Sequence, residues 1–213
     1  MSDLTVTTLS TATTTVDSDA CTVKLTFVFD GRASADEVNA ELAGLFDSLS
    51  HHGAEEPDVI RGFSLSAPDL SPKNGRVSAT VEALIAGNQP SQVWHWLEGT
   101  GLLTATDVTL TDWQLTWELS DAGRENAISI ARQHIIPAAA RNSAAYDSSL
   151  DGASVNRVPV SVEEVSVELA GVEVNRPDGV EDTPATKLNR TLHTPDKVTV
   201  SVTAKVTVKS VAA

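Results

Sequence analysis

The sequence predicts an α+β protein in which long antiparallel strands carry about three helices packed on the sheet. Two observations predict this class: apolar and polar residues alternate over long runs, and the segments between these runs show helical spacing. Strands that follow one another directly, with helices interspersed, favour α+β over a doubly wound parallel sheet. A chain of 213 residues can bury a sizeable core. We therefore expect a single domain over 1–213, with a candidate sub-boundary near 104–120.

The first half of the chain alternates strands with short helices. Residues 21–30, CTVKLTFVFD, place apolar side chains on one face with a period of two. The next segment changes to helical spacing, with a capping box of Ser34 and Glu37 at its start and Gly53 at its end. Two more strands follow, and Asn74-Gly75 between them predicts a hairpin turn.

A short helix and a long strand form the middle of the chain. Pro90 occupies a natural first-turn position of the helical segment QPSQVWHWLEGTG. Adjacent helical residues point about 100° apart, so we expect Trp94 to be buried and Trp96 to point partly outward. Along 104–120 the apolar residues change parity, which predicts a β-bulge near Thr111-Asp112.

The second half opens with an Ala- and Ile-rich helical segment over 124–152. Pro137 lies inside it and lacks the N–H that would bond the carbonyl of Gln133, so we expect a kink or break there. A Val-rich strand follows, with a parity change that predicts a bulge at Glu163-Glu164. Residues 175–196 contain three prolines and no periodicity, and we interpret them as an exposed loop. The closing run to Val208 alternates most regularly, and its polar face carries Lys205.

Composition excludes several classes of partner. The formal net charge is -14, which opposes binding to nucleic acid or to an anionic membrane surface. No stretch approaches the roughly 20 apolar residues of a membrane-spanning helix. Cys21 is the only cysteine and is expected in the core, so no intrachain disulfide or thiolate cluster is predicted. The first residues lack the features of a secretory signal, and we expect a cytoplasmic protein.

No motif in the sequence identifies a reaction. The five histidines form no His-Glu-x-x-His arrangement, and neither a Gly-x-Ser-x-Gly elbow nor a phosphate-binding loop is present. We therefore expect a protein that is not an enzyme and has no metal and no cofactor. The alternative is a hydrolase or a metal-dependent enzyme that uses His51 and His52, with Glu55 or Glu56, or His134. A third interpretation is capture of a small ligand between sheet and helices.

Four short sequence motifs of the second half follow one another in a recognisable order. They are an Ala-x-x-x-Ala-Arg pattern in ENAISIARQ, a Tyr-x-x-x-Leu mark followed by glycine at Tyr146, Leu150 and Gly152, the strand VPVSVE, and the closing TPDKVTVSVTAKVTV. In this order they resemble the SIMPL-domain family, also called the outer-membrane immunogen or periplasmic-protein family of unknown function. Members of that family are often exported to the envelope and have no agreed enzymatic activity. The resemblance implies a non-enzymatic protein, either envelope-associated or an interaction protein, that can form oligomers.

A partner is therefore expected to be a second copy of the chain or another protein. Long Thr/Val strands with few charges can pair with strands of a neighbouring subunit. The candidate contact residues are Trp96, which is expected to be partly exposed, and the closing strand, represented by Val200, Val202 and Lys205.

Overall fold

The computed structural model describes residues 4–32, 34–144, 155–175 and 182–212. It confirms the α+β class and the dominance of antiparallel strands, which form two sheets. The strands in chain order are β1 (Leu4–Asp17), β2 (Ala20–Arg32), β3 (Ile60–Leu65), β4 (Asp69–Lys73), β5 (Arg76–Gly87), β6 (Val108–Glu118), β7 (Val155–Ala170), β8 (Val172–Asn175) and β9 (Lys197–Ala212). The helices are α1 (Ala35–Glu55), α2 (Pro90–Gly99), α3 (Asp121–Ser143) and α4 (Pro184–Leu192).

The chain divides into two compact units, each discontinuous in sequence. The three-stranded unit comprises Met1–Val16, Asp121–Ala170 and Val198–Ala213, and the six-stranded unit comprises Asp17–Ser120 and Gly171–Lys197. The sequence predicts one domain, because the positions at which the chain passes from one unit to the other lack the Pro-, Gly- or Ser-rich composition of a linker. One of them, between Ser120 and Asp121, lies at the end of the range proposed for a sub-boundary.

The six-stranded unit contains the sheet β3-β5-β2-β6-β8, with β4 paired to β5. β2 lies at its centre and contributes fully buried side chains such as Val23, Leu25 and Phe27. The turn between β4 and β5 has positive φ at Asn74 (51°) and Gly75 (75°), as the Asn-Gly pair predicted. All four tryptophans are buried in this unit, so packing explains them.

The predicted bulge in β6 is confirmed. Thr26 of β2 lies opposite Asp112 and the next residue, Phe27, lies opposite Leu110, so Thr111 is the extra residue. The hydroxyl of Thr111 donates a hydrogen bond to the carbonyl of Thr26 at 3.1 Å.

One of the two hydrogen bonds of the capping box at the start of α1 is confirmed: the hydroxyl of Ser34 accepts from the backbone N–H of Glu37. The helix continues past the predicted end at Gly53 as far as Glu55.

Residues 175–196 were predicted as an exposed loop, and this is wrong for their second half. α4 begins at Pro184 after Thr183, whose hydroxyl accepts a hydrogen bond from the N–H of Thr186. Leu188 and Leu192 are fully buried, so packing of an apolar stripe stabilises this nine-residue helix. The described residues therefore contain four helices, one more than expected.

The three-stranded unit has the strand order β1-β9-β7. α3 covers one face of this sheet, and its Ile135 and Ala139 form a buried cluster with Ala12 of β1 and with residues of β9, namely Ala204, Val206 and Val208. α3 continues through Pro137, so the expected break is absent. The Tyr146, Leu150 and Gly152 of the family mark lie outside the described residues.

Candidate interaction edge

Strand β7 leaves an apolar edge open in the three-stranded unit. Within the part of the chain that the structure describes, β7 pairs with β9 alone and ends the strand order. Four of its valines are unusually exposed for large apolar residues: 51% for Val158, 61% for Val160, 48% for Val162 and 60% for Val165. An edge strand presents a row of main-chain donors and acceptors, and here that row carries apolar side chains.

Two β-bulges shape this edge. Opposite β9 the register skips Val160 and then Val165, so each of these valines is an extra residue on β7. The sequence predicted one bulge at Glu163-Glu164, and the structure has one directly after Glu164 and a second at Val160. The parity changes produced by the bulges explain why exposed valines occur on both sides of the strand.

α3 holds β7 through an ion pair. Arg132 donates from Nε and Nη2 to the two carboxylate oxygens of Glu164, at 2.7 and 2.9 Å. Glu164 lies opposite the buried Ala204, so its side chain starts on the sheet face that α3 covers. Hydrogen bonding to Arg132 lowers the pKa of Glu164, and the same contact raises the pKa of Arg132.

The opposite face of β1 and β9 carries hydroxyl groups in cross-strand pairs. The pairs are Thr7 with Thr207 at 3.0 Å, Thr11 with Thr203 at 3.0 Å, and Thr13 with Ser201 at 3.2 Å. Residue numbers rise along β1 as they fall along β9, so the two strands are antiparallel. Leu9 interrupts this polar face and is 66% exposed on the other edge strand, β1.

Three of the four residues proposed as an interaction surface are buried, and the prediction is corrected for them. Trp96 is 4% exposed, because α2 is buried on more than one side. The ring centroids of Trp96 and Phe63 are 6.5 Å apart. Val200 and Val202 are core residues of β9, which is the central strand and pairs on both sides. Lys205 is exposed on β9, opposite Glu163 of β7. The sequence could not identify β7 as the edge, because strand order depends on long-range pairing.

The histidines of the alternative enzyme hypothesis do not converge on a cleft. Glu55 lies 3.2 Å from Nε2 of His51 and 3.9 Å from Nδ1 of His52 on α1. The side chains of His51 and Glu55 are more than half exposed, and that of His52 is 36% exposed. His134 is exposed on α3, in the other unit. Among the described residues, no group of three or more His, Cys, Asp or Glu side chains is placed to hold a metal ion.

Three clefts lie among the described residues of the six-stranded unit, and none of the three contains a catalytic constellation. One, of about 260 Å³, lies beside α1 and is lined mainly by apolar residues that include Phe29, Leu45 and Leu102, and Glu41 also lines it. Two others lie against Trp117 and Trp113. No described histidine lines any of the three, so general acid–base chemistry by imidazole has no position there.

Cys21 is fully buried, as predicted for a core residue. The pKa of its thiol is raised to about 12, mainly by burial and also by repulsion from Glu118, while Arg61 opposes this rise. The thiolate is the nucleophilic form, so this cysteine is not arranged as a nucleophile.

No helix among the described residues is long and apolar enough to cross a membrane. No protein-family model matches the sequence, and no curated protein matches it.

Proposed function

We propose that the chain is a non-enzymatic interaction or assembly protein, similar to the SIMPL-domain family, and that it associates with a second copy of itself through the edge of β7. The observation that carries the proposal is the open β7 edge with its exposed valines. Exposed apolar side chains along an unpaired strand edge are typical of a protein-binding site.

A second copy of β7 fits this edge better than an unrelated peptide for two reasons. An edge strand is complementary to itself in the antiparallel sense, since a two-fold axis pairs each row of donors and acceptors with its copy. Antiparallel pairing also brings the Arg157 end of one strand towards the end of the other that carries Glu163, Glu164 and Glu168. Parallel pairing would instead place these like charges together.

The bulges limit how the two strands meet. Bulges bend a strand and are one means by which proteins discourage edge pairing. Pairing would therefore use the straight segments beside Val160 and Val165, and these two valines would be covered by the second subunit. The SIMPL resemblance supports an assembly role, and the cytoplasm is the proposed location.

Sedimentation velocity over a wide concentration range tests the proposal on the full chain. We expect a dimer that dissociates on dilution. Val160→Lys and Val165→Lys should shift the protein to monomer, because a desolvated lysine at a strand edge opposes pairing. Leu84→Lys is the matched control, since Leu84 is 44% exposed in the other sheet, on β5.

Leu9→Lys separates the proposed symmetric contact from a head-to-tail contact of β7 with β1. The symmetric arrangement predicts that Leu9→Lys remains dimeric. A wild-type protein that is strictly monomeric, or a dimer that resists both valine substitutions, overturns the proposed function. Loss of the dimer with Leu9→Lys overturns the symmetric arrangement.

A further inference from the structure

Two histidines from different helical segments of the six-stranded unit have their rings close together, in an edge-on arrangement. His95 lies in α2, and His193 is the capping residue directly after the C-terminal end of α4. Their ring centroids are 6.1 Å apart and the ring planes meet at 84°. Both side chains are exposed, so neither ring is needed to fill the core. Neither histidine belongs to the β7 edge or to the hypothetical enzyme sites.

The hydrogen bonds of the two rings define which nitrogen is free. Nδ1 of His193 lies 2.9 Å from the carbonyl oxygen of Asn189, and Nδ1 of His95 lies 3.4 Å from a carboxylate oxygen of Glu98. A carbonyl or carboxylate oxygen can only accept, so a neutral ring donates from Nδ1 in both cases. Nε2 of each ring then carries a lone pair.

This is the arrangement by which proteins prepare histidines for a metal. A metal-binding imidazole commonly donates its other N–H to a backbone carbonyl or a carboxylate, which sets the tautomer and the ring orientation. Metal–nitrogen bonds of about 2.0–2.1 Å place the centroids of two imidazoles on one ion roughly 4.5–6.5 Å apart, depending on the N–metal–N angle. The observed 6.1 Å separation lies within that range.

We propose that His95 and His193 bind a divalent transition-metal ion, such as Ni²⁺, Cu²⁺ or Zn²⁺, through their Nε2 atoms. Imidazole suits these ions, and water would complete the coordination. Glu98 acts as a positioning residue through Nδ1 of His95. The acidic chain, with a formal net charge of -14, favours the approach of a cation.

The second histidine pair provides an internal comparison. The rings of His51 and His52 are also close, at 6.0 Å. They contact the same carboxylate, Glu55, through different nitrogens, Nε2 and Nδ1, and they are neighbours on one helix. The nitrogen that does not contact Glu55 is therefore Nδ1 in His51 and Nε2 in His52, whereas in both His95 and His193 it is Nε2 that carries the lone pair.

Isothermal titration of the full chain with NiCl₂, and separately with ZnCl₂, tests the site. We expect one ion per chain, at least about tenfold weaker binding in His95→Ala and in His193→Ala, and unchanged binding in the His51→Ala/His52→Ala double variant. Glu98→Gln should weaken binding by about tenfold, which is the lower end of the effects measured for residues that hydrogen-bond to a metal-binding side chain. Far-UV circular dichroism checks that each variant is folded.

Nuclear magnetic resonance of the imidazole nitrogens supplies a second readout. Zn²⁺ should shift the Nε2 signals of His95 and His193 and leave those of His134 unchanged. Absence of binding heat for both metals overturns the site, as does unchanged affinity in either single alanine variant. Loss of binding in the His51→Ala/His52→Ala variant assigns the metal to the other pair and likewise overturns it.

Discussion

The guanidinium of Arg132 and the carboxylate of Glu164 form a two-point contact between α3 and β7, with N···O distances of 2.7 and 2.9 Å. Both groups are on the surface, and the pKa of Glu164 is lowered by the hydrogen bond from Arg132. A carboxyl group whose pKa is lower in the folded state stabilises the fold at pH values above its unfolded pKa. That contribution is lost as pH falls through the folded pKa.

Glu164→Gln should therefore lower the free energy of unfolding slightly at neutral pH and have less effect in acid. Urea unfolding of both proteins at a series of pH values measures the difference. The effect should also shrink in high salt, because surface ion pairs are screened. Glu168→Gln, the same charge change opposite Ser201 on this strand, serves as the control. A pH-independent difference would show that Glu164 acts by packing and not by charge.

The buried thiol of Cys21 gives a prediction at alkaline pH. Its pKa is raised from 9.0 to about 12, chiefly by burial. A native thiol should thus react with iodoacetamide at pH 8 to 9 far more slowly than the thiol of the urea-unfolded chain. Comparable rates in the two states would contradict the buried placement.

The same shift couples Cys21 to stability. An acid whose folded pKa is raised favours the folded state below the unfolded pKa, and this advantage is lost as pH rises towards the folded value. The wild-type free energy of unfolding should accordingly fall relative to that of Cys21→Ala between pH 9 and about 12. Subtracting the two curves removes the other groups that titrate there.

Local chemistry predicted much of the secondary structure. The Asn74-Gly75 turn, the extra residue at Thr111 and the cap at Ser34 follow from short-range sterics and hydrogen bonding, and all three are present. The sequence does not predict α4, although Thr183 and Pro184 form a typical helix start, because three prolines between 175 and 196 favour a loop.

The candidate site could not be predicted in the same way. Alternation marks Val200 and Val202 as strand residues facing a core, but it does not say whether their strand is central or terminal in the sheet. That depends on the pairing of β9 with both β1 and β7, which are far away in the sequence. Likewise, His95 and His193 are separated by most of the second half of the chain, and only the tertiary fold brings their rings together.

Two buried tryptophans differ in a single hydrogen bond. Nε1 of Trp113 donates to the carbonyl of Pro184 at 3.0 Å, whereas Nε1 of Trp96 is buried without a hydrogen-bond partner among the described residues. Substitution by phenylalanine removes similar volume at both positions. Trp113→Phe also removes a hydrogen bond, whereas Trp96→Phe removes a buried N–H that has no partner, so Trp113→Phe should cost about 1–3 kcal/mol more. Urea unfolding followed by far-UV circular dichroism measures both; an equal or larger cost at Trp96 would contradict the assignment.

Pro137 occupies an unfavourable position inside a helix, and α3 nevertheless continues through it from Asp121 to Ser143. The carbonyl of Gln133 has no N–H to accept from at this position, and proline in a helix interior costs about 3 kcal/mol. The side chain of Pro137 is exposed, so its replacement removes little packing.

Pro137→Ala should raise the free energy of unfolding by about 1–3 kcal/mol, since alanine restores the hydrogen bond and the helix propensity but enlarges the unfolded ensemble. Gln133→Ala, at an exposed position one turn earlier, should change it by less than about 0.5 kcal/mol. Equilibrium urea denaturation distinguishes them. A destabilised Pro137→Ala protein would mean that the proline shapes α3 so that Ile135 and Ala139 can pack on β9, and that tertiary contacts outweigh the local penalty.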